Sequence, residues 1–117
     1  MPRFGLDWKF AAALVAITAT AATLTNHSVA QAPTVTVAQK DISFSPAHLE
    51  IKAGTTVTFV NEDPFGHNVY SESKGGEFDI GRQQPGQKST VTFRQAGTFI
   101  AECRIHPKMR LEVVVTP

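Results

Sequence analysis

Between Val35 and Val115 the chain repeats one local pattern, apolar residues spaced two apart and then a turn. Val35 and Val37 flank Thr36, Ile42 and Phe44 flank Ser43, and Leu49 and Ile51 flank Glu50. Val57 and Phe59 flank Thr58, Val91 and Phe93 flank Thr92, and a β-branched run closes at Val113–Val115. Successive side chains of a strand point to opposite faces, so a period of two describes strands buried on one side. Turn-forming pairs separate them: Ser45-Pro46, Ala53-Gly54, Asp63-Pro64, Gly75-Gly76, Pro85-Gly86 and Ala96-Gly97. No helical period competes with this pattern. Many short strands at such spacing predict an all-β fold, a two-sheet sandwich or a barrel. Residues 71–89 hold little apolar content beyond Phe78 and Ile80. They are expected to form a surface excursion with one short edge strand.

The first thirty residues do not belong to that pattern. Arg3 and Lys9 give a basic start, Phe10 to Leu24 is an uncharged apolar run diluted by Thr, and Ser28-Val29-Ala30 places small residues where a signal peptidase reads them. This is the layout of a secretory leader. The expected cut follows Ala30, since a cut after Ala32 would place Pro33 beyond the scissile bond. The apolar run is short for a membrane span, which needs roughly 20 residues. The expectation is therefore a signal peptide over residues 1–30 and one folded domain over residues 31–117, exported to the periplasm without stable membrane association.

Charge narrows the function. Losing the leader removes Arg3, Lys9 and Asp7, and takes the 11 basic and 10 acidic residues to nine of each, a net charge of zero. A binder of nucleic acid or of anionic membranes needs a strong basic excess, which this domain lacks. The chain has one cysteine, Cys103. Under oxidising conditions a lone thiol has no partner in its own chain, so it is expected to be buried, catalytic or bound to metal.

The loop that follows carries the chemistry. Cys103-Arg104-Ile105-His106-Pro107-Lys108-Met109 spaces a thiolate, an imidazole and a thioether three residues apart, twice in succession. A strand cannot converge residues three apart, because they point to opposite faces, whereas a short loop between strands can. One thiolate with imidazoles and a weak thioether is a donor set that selects copper for electron transfer. Zinc rarely takes Met. A second imidazole is required, and His67 is the better candidate, sitting where a turn-rich loop resumes a strand at Asn68-Val69-Tyr70. His48 is expected to face solvent, and His27 to leave with the leader.

These residues resemble those of a known family. Cys103-x-x-His106-x-x-Met109 is similar to the ligand loop of amicyanins and pseudoazurins within the cupredoxins, and the plastocyanins are further relatives of that kind. Phe59-x-Asn61 with His67-Asn68-Val69 resembles the segment around the family's first copper ligand, and Phe78-Asp79-x-Gly81, Pro85-Gly86 and Gly97-Thr98-Phe99 resemble its connecting stretch. The resemblance covers nearly all of residues 35–115. It implies a Greek-key β-sandwich of roughly seven to eight strands. It implies one copper ion, Cu(I) or Cu(II), with His67, Cys103 and His106 as a trigonal set and Met109 as a weak axial ligand. Asn68 would tie the two ligand segments together. The family often has Thr or Asn after the ligand Cys; Arg104 stands there instead and removes the usual partner of that tie.

The expected function is a small blue-copper electron carrier, a monomer that meets a redox partner transiently near His106. Phe65, Ile105 and Pro107 would form an apolar docking patch, flanked by Arg104, Lys108 and Arg110. The alternative is a copper carrier or chaperone that delivers the ion without redox cycling. An enzyme is not expected: four donors fill the copper's coordination, and no Gly-x-Ser-x-Gly motif is present.

Overall fold

The computed structural model of the protein describes residues 13–28 and 31–117. The expected cleavage point after Ala30 and the basic start of the chain lie outside the described residues. Residues 13–28 form no strand or helix, and Leu14, Ile17 and Leu24 are exposed there. No helix among the described residues is long and apolar enough to cross a membrane.

Nine strands follow: β1 (Thr34–Lys40), β2 (Ser43–Ser45), β3 (His48–Lys52), β4 (Thr55–Asn61), β5 (His67–Ser71), β6 (Phe78–Gln83), β7 (Lys88–Phe93), β8 (Gly97–Glu102) and β9 (Arg110–Thr116). They form two packed sheets, one ordered β2-β1-β4-β7 and the other β3-β9-β8-β5-β6. The chain passes between the sheets after β2, β3, β4, β6 and β7, the crossing habit of a Greek-key sandwich. β1 lies parallel to β4 and β3 parallel to β9, while the other pairs are antiparallel.

The alternation read from the sequence is the alternation of burial. In β4, Val57, Phe59 and Asn61 point inward, with Thr58 and Val60 between them only half-buried. Val37, Phe44, Leu49, Ile51, Phe93, Val113 and Val115 complete the expected inner face. Aromatic rings run through it in sequence, from Phe44 to Phe59, Phe78, Phe93 and Phe99, with neighbouring centroids 5.8–6.4 Å apart. Offset and edge contacts at this spacing add to the hydrophobic gain of burying each ring.

Two elements go beyond the sequence pattern. β8 alternates inward Phe99 and Ala101 with outward residues, but the small Ala101 hides the period. β6 is six residues long, where only a short edge strand was expected, because one side of it pairs with β5 and the other is open. Pairing of β5 with β6 slips between Asn68 and Tyr70. A bulge of this kind re-aims the side chains around it, and it falls beside the residues described next.

Candidate metal centre

His67 opens β5 and is fully buried. Cys103 follows directly after β8, also buried, and Met109 directly precedes β9. Between them the chain makes one tight turn, closed by the Met109 N–H donating to the His106 carbonyl at 2.9 Å. That turn returns His106 over Cys103. The Nδ1 atoms of His67 and His106 are 3.2 Å apart, and each is 3.9 Å from the Cys103 sulfur. Cys103 and His106 of the loop thus meet the distant His67 at one point. Met109 is buried in the core cluster at the foot of β9. His48 opens β3, exposed, with its ring at 2.9 Å from Glu112 and 3.5 Å from Glu50, and it takes no part in the cluster.

Hydrogen bonding settles which ring nitrogen of His67 faces the centre. Its Nε2 lies 2.7 Å from a carboxylate oxygen of Asp63. Burial alone would raise the Asp63 carboxyl, but hydrogen bonds from His67 and from the Ile42 and Asp41 amides outweigh it and hold the group below the usual carboxylate range. A charged carboxylate can only accept, so Nε2 carries a hydrogen, and in the neutral ring the lone pair is on Nδ1. That lone pair points at Cys103 and His106. Metal-bound imidazoles are commonly oriented in this way through their second nitrogen.

The loop holding Asp63 is itself fixed by Asn61. The Asn61 amide nitrogen donates to the carbonyls of Phe65 and Gln83, and its oxygen accepts the Asp63 N–H at 3.0 Å. Cys103 is held from the other side, where the Asn68 N–H donates to its sulfur at 3.3 Å. The tie expected of Asn68 is present with a different partner: its oxygen accepts the backbone N–H of Arg104, so the residue type there does not matter to it. The Asn68 amide nitrogen donates to Asp79 at 2.8 Å and to the Gly81 carbonyl at 3.0 Å. Gly81 has φ +73°, a conformation that suits glycine, and its own N–H turns back onto Asp79. Asp79 also receives Arg104 Nε at 3.2 Å, and the guanidinium lies 3.8 Å over the Tyr70 ring.

Sequence reasoning did not single out Asp63 or Asp79 as partners of the cluster. An acidic residue four before His67, inside a Pro-containing turn, was the available signal for the first. For Asp79 the contact depends on the bulge between β5 and β6, which has no local sequence mark.

The donor set fits a soft first-row ion. An ion bound at roughly 2.0–2.1 Å from nitrogen and 2.3 Å from sulfur spreads a trigonal nitrogen and sulfur roughly 3.7 Å apart, close to the separations here. One thiolate and two imidazoles match copper better than other ions. The chain matches the family model of the cupredoxin-like domain over residues 11–115. It belongs to the cupredoxin family. This cupredoxin is 36% identical over 113 residues to Amicyanin-alpha of Methylorubrum extorquens, covering 91% of this chain and 95% of that protein. Among solved structures it superposes on a methionine variant of amicyanin in the Cu(I) form, with a TM-score of 0.66 and 29% identity over 76% of this chain and 87% of that one. It also superposes on a copper-containing nitrite reductase of Thermus scotoductus, with a TM-score of 0.68 and 33% identity over 76% of this chain. The match covers 23% of that larger chain.

The rim of the centre is apolar. Phe65 and Ile105 are 40% and 43% exposed beside the half-buried His106. The Phe65 ring sits 5.3 Å from the His67 ring and 5.6 Å from the His106 ring.

Proposed function

We propose that this cupredoxin is an exported carrier of single electrons, with one copper ion held by His67, Cys103, His106 and Met109. The observation that carries the proposal is the convergence of two Nδ1 atoms and one sulfur at 3.2–3.9 Å, from the start of β5 and from the loop between β8 and β9. Copper at this point supplies one-electron chemistry between its Cu(I) and Cu(II) states. The chain supplies rigidity. His67 is buried and hydrogen-bonded to Asp63, and the Cys103 sulfur receives the Asn68 amide. The loop turn is closed by the Met109 N–H on the His106 carbonyl, and its start is held by the Arg104 N–H on the Asn68 side chain. Donors held in this way move little when the charge between them changes, and that lowers the cost of electron transfer.

His106 is the only one of the three clustered donors that is not fully buried, and it is the proposed exit for the electron. Phe65, Ile105 and Pro107 around it offer a dry contact for a redox partner that docks transiently on a monomer. Arg104, Lys108 and Arg110 suit a partner with an acidic rim. Four donors leave no open position for a substrate, so the chain is assigned no turnover of its own. The periplasm is its proposed compartment, with residues 1–30 as a removable leader. A mature chain recovered from that compartment with Gln31 at its amino end is the expected result.

Copper(II) added to the purified domain, followed by visible and electron spin-resonance spectroscopy, tests the assignment. An intense blue band with reversible one-electron reduction is expected. A colourless Cu(I) form that passes its ion to an acceptor protein would instead assign the chain to copper delivery.

A further inference from the structure

Asp63 is held more firmly than a loop residue needs to be. It is 5% exposed in the β4–β5 connection, and one carboxylate oxygen accepts the Asp41 N–H at 2.7 Å. The other accepts the Ile42 N–H at 3.0 Å and His67 Nε2 at 2.7 Å. The two amides come from the turn between β1 and β2, where Asp41 and Ile42 have φ of +53° and +57°. Asp is among the residues that enter the left-handed region readily, but a β-branched Ile42 there is a costly choice. That conformation aims both N–H groups at one carboxylate. The turn therefore fixes Asp63, and Asp63 in turn grips the far edge of the His67 ring.

We propose that Asp63 is a positioning residue for the metal centre: it keeps the hydrogen on Nε2 of His67, turns Nδ1 toward Cys103, and strengthens that nitrogen as a donor. The inference rests on the copper assignment above. A negative charge on the outer N–H pushes electron density into the ring, and a stronger donor favours the more positive ion. The centre then prefers Cu(II) over Cu(I) more than it would with a neutral acceptor in the same place. The effect is local to His67, because the ring of His106 stands at the surface on the other side of the cluster.

The test is the reduction potential of Asp63→Asn in the copper-loaded protein. Asn keeps the shape and one acceptor but loses the charge. Binding of Cu(II) relative to Cu(I) is expected to weaken by about tenfold, the low end for loss of such a partner, which raises the potential by about 59 mV. An unchanged potential in a folded, blue variant overturns the proposal and leaves Asp63 as a loop anchor only. Because Asp63 also holds the β1–β2 turn, nitrogen-15 NMR of the unaltered, copper-free chain gives a second arm. In the neutral ring it is expected to show a slowly exchanging hydrogen on Nε2 of His67 and none on Nδ1; a hydrogen on Nδ1 with none on Nε2 overturns the proposal. Failure to take up copper with the Nε2 hydrogen in place refutes the copper assignment and leaves the orientation of His67 by Asp63 standing.

Discussion

The Asn68 backbone amide donates to the Cys103 sulfur at 3.3 Å, joining residues 35 apart in sequence. Through this bond the strand that carries the first imidazole is fastened to the end of the strand that carries the thiolate. The Asn68 side chain extends the fastening in both directions, to the Arg104 amide in the ligand loop and to Asp79 and Gly81 on β6. One residue thus connects three segments that meet nowhere else in sequence.

Asn68→Ala keeps its backbone amide and so keeps the bond to sulfur. It strips partners from the Arg104 amide and the Gly81 carbonyl. Both bonds are only part-buried, and the net worth of such a hydrogen bond is about 0.5–1.5 kcal/mol. Chemical denaturation of the copper-free variant is expected to show a loss of that size. The loaded variant should keep a blue band at a shifted position, and loss of the band altogether would mean that the side chain is needed to assemble the cluster.

The same segment shows what the sequence could and could not reveal. Strand positions were legible because inward Val57, Phe59 and Phe93 alternate with outward Thr, and the sheet needs that period to bury one face. The nearness of Cys103 and His106 was legible because donor types at fixed spacing in one short loop stand out even in isolation. Asp79 was not, since its contact with Asn68 arises from the register slip between β5 and β6. Arg104 looked like a broken tie because side-chain identity was the visible feature, whereas the structure makes the bond through its backbone.

Acid should reveal the carboxylates that anchor the site. The Gly81 N–H is the strongest influence on Asp79, partial burial opposes it, and Asn68 and Arg104 reinforce it, leaving the carboxyl below its usual value. Asp63 is lowered as well. A group depressed in the folded state stabilises the fold above its unfolded pKa, about 3.9 for Asp, and that contribution is lost as pH falls through the folded value. Wild type is therefore expected to exceed Asp79→Asn in stability near neutral pH, with the gap narrowing as pH is lowered from about 6 to about 3. A gap that stays constant across urea titrations in that range would show that Asp79 acts through shape alone.

Met109 combines two roles that substitution can separate. Its side chain is buried in the core, so Met109→Ala should cost about 2–5 kcal/mol in stability. Met109→Leu keeps the volume and should cost less than about 1.5 kcal/mol. If the thioether is the axial donor, both variants raise the copper potential together, because each withdraws a donor that Cu(II) uses more than Cu(I). A potential that follows the stability loss, shifted in the Ala variant and not in Leu, would assign Met109 to packing only.

The three cations near the apolar rim are not equivalent. Arg104 is already paired with Asp79 at 3.2 Å and Glu72 at 3.8 Å, and Arg110 lies 3.7 Å from Glu102. Among the described residues, Lys108 makes no such pair, and it stands two positions from His106, the proposed exit. Its charge is therefore the one most available to an incoming partner. Charges at a docking rim act mainly on the rate of encounter, and salt screens them. Lys108→Glu should slow electron transfer to an acidic partner by about tenfold at low salt. Arg110→Glu should slow it less, since reversal there also frees Glu102 from its partner. Both rates should converge on wild type as ionic strength approaches about 1 M, where the Debye length falls to about 3 Å. Stopped-flow oxidation of the reduced protein across a salt series measures this. Equal slopes against salt for all three proteins would place the docking contact away from His106.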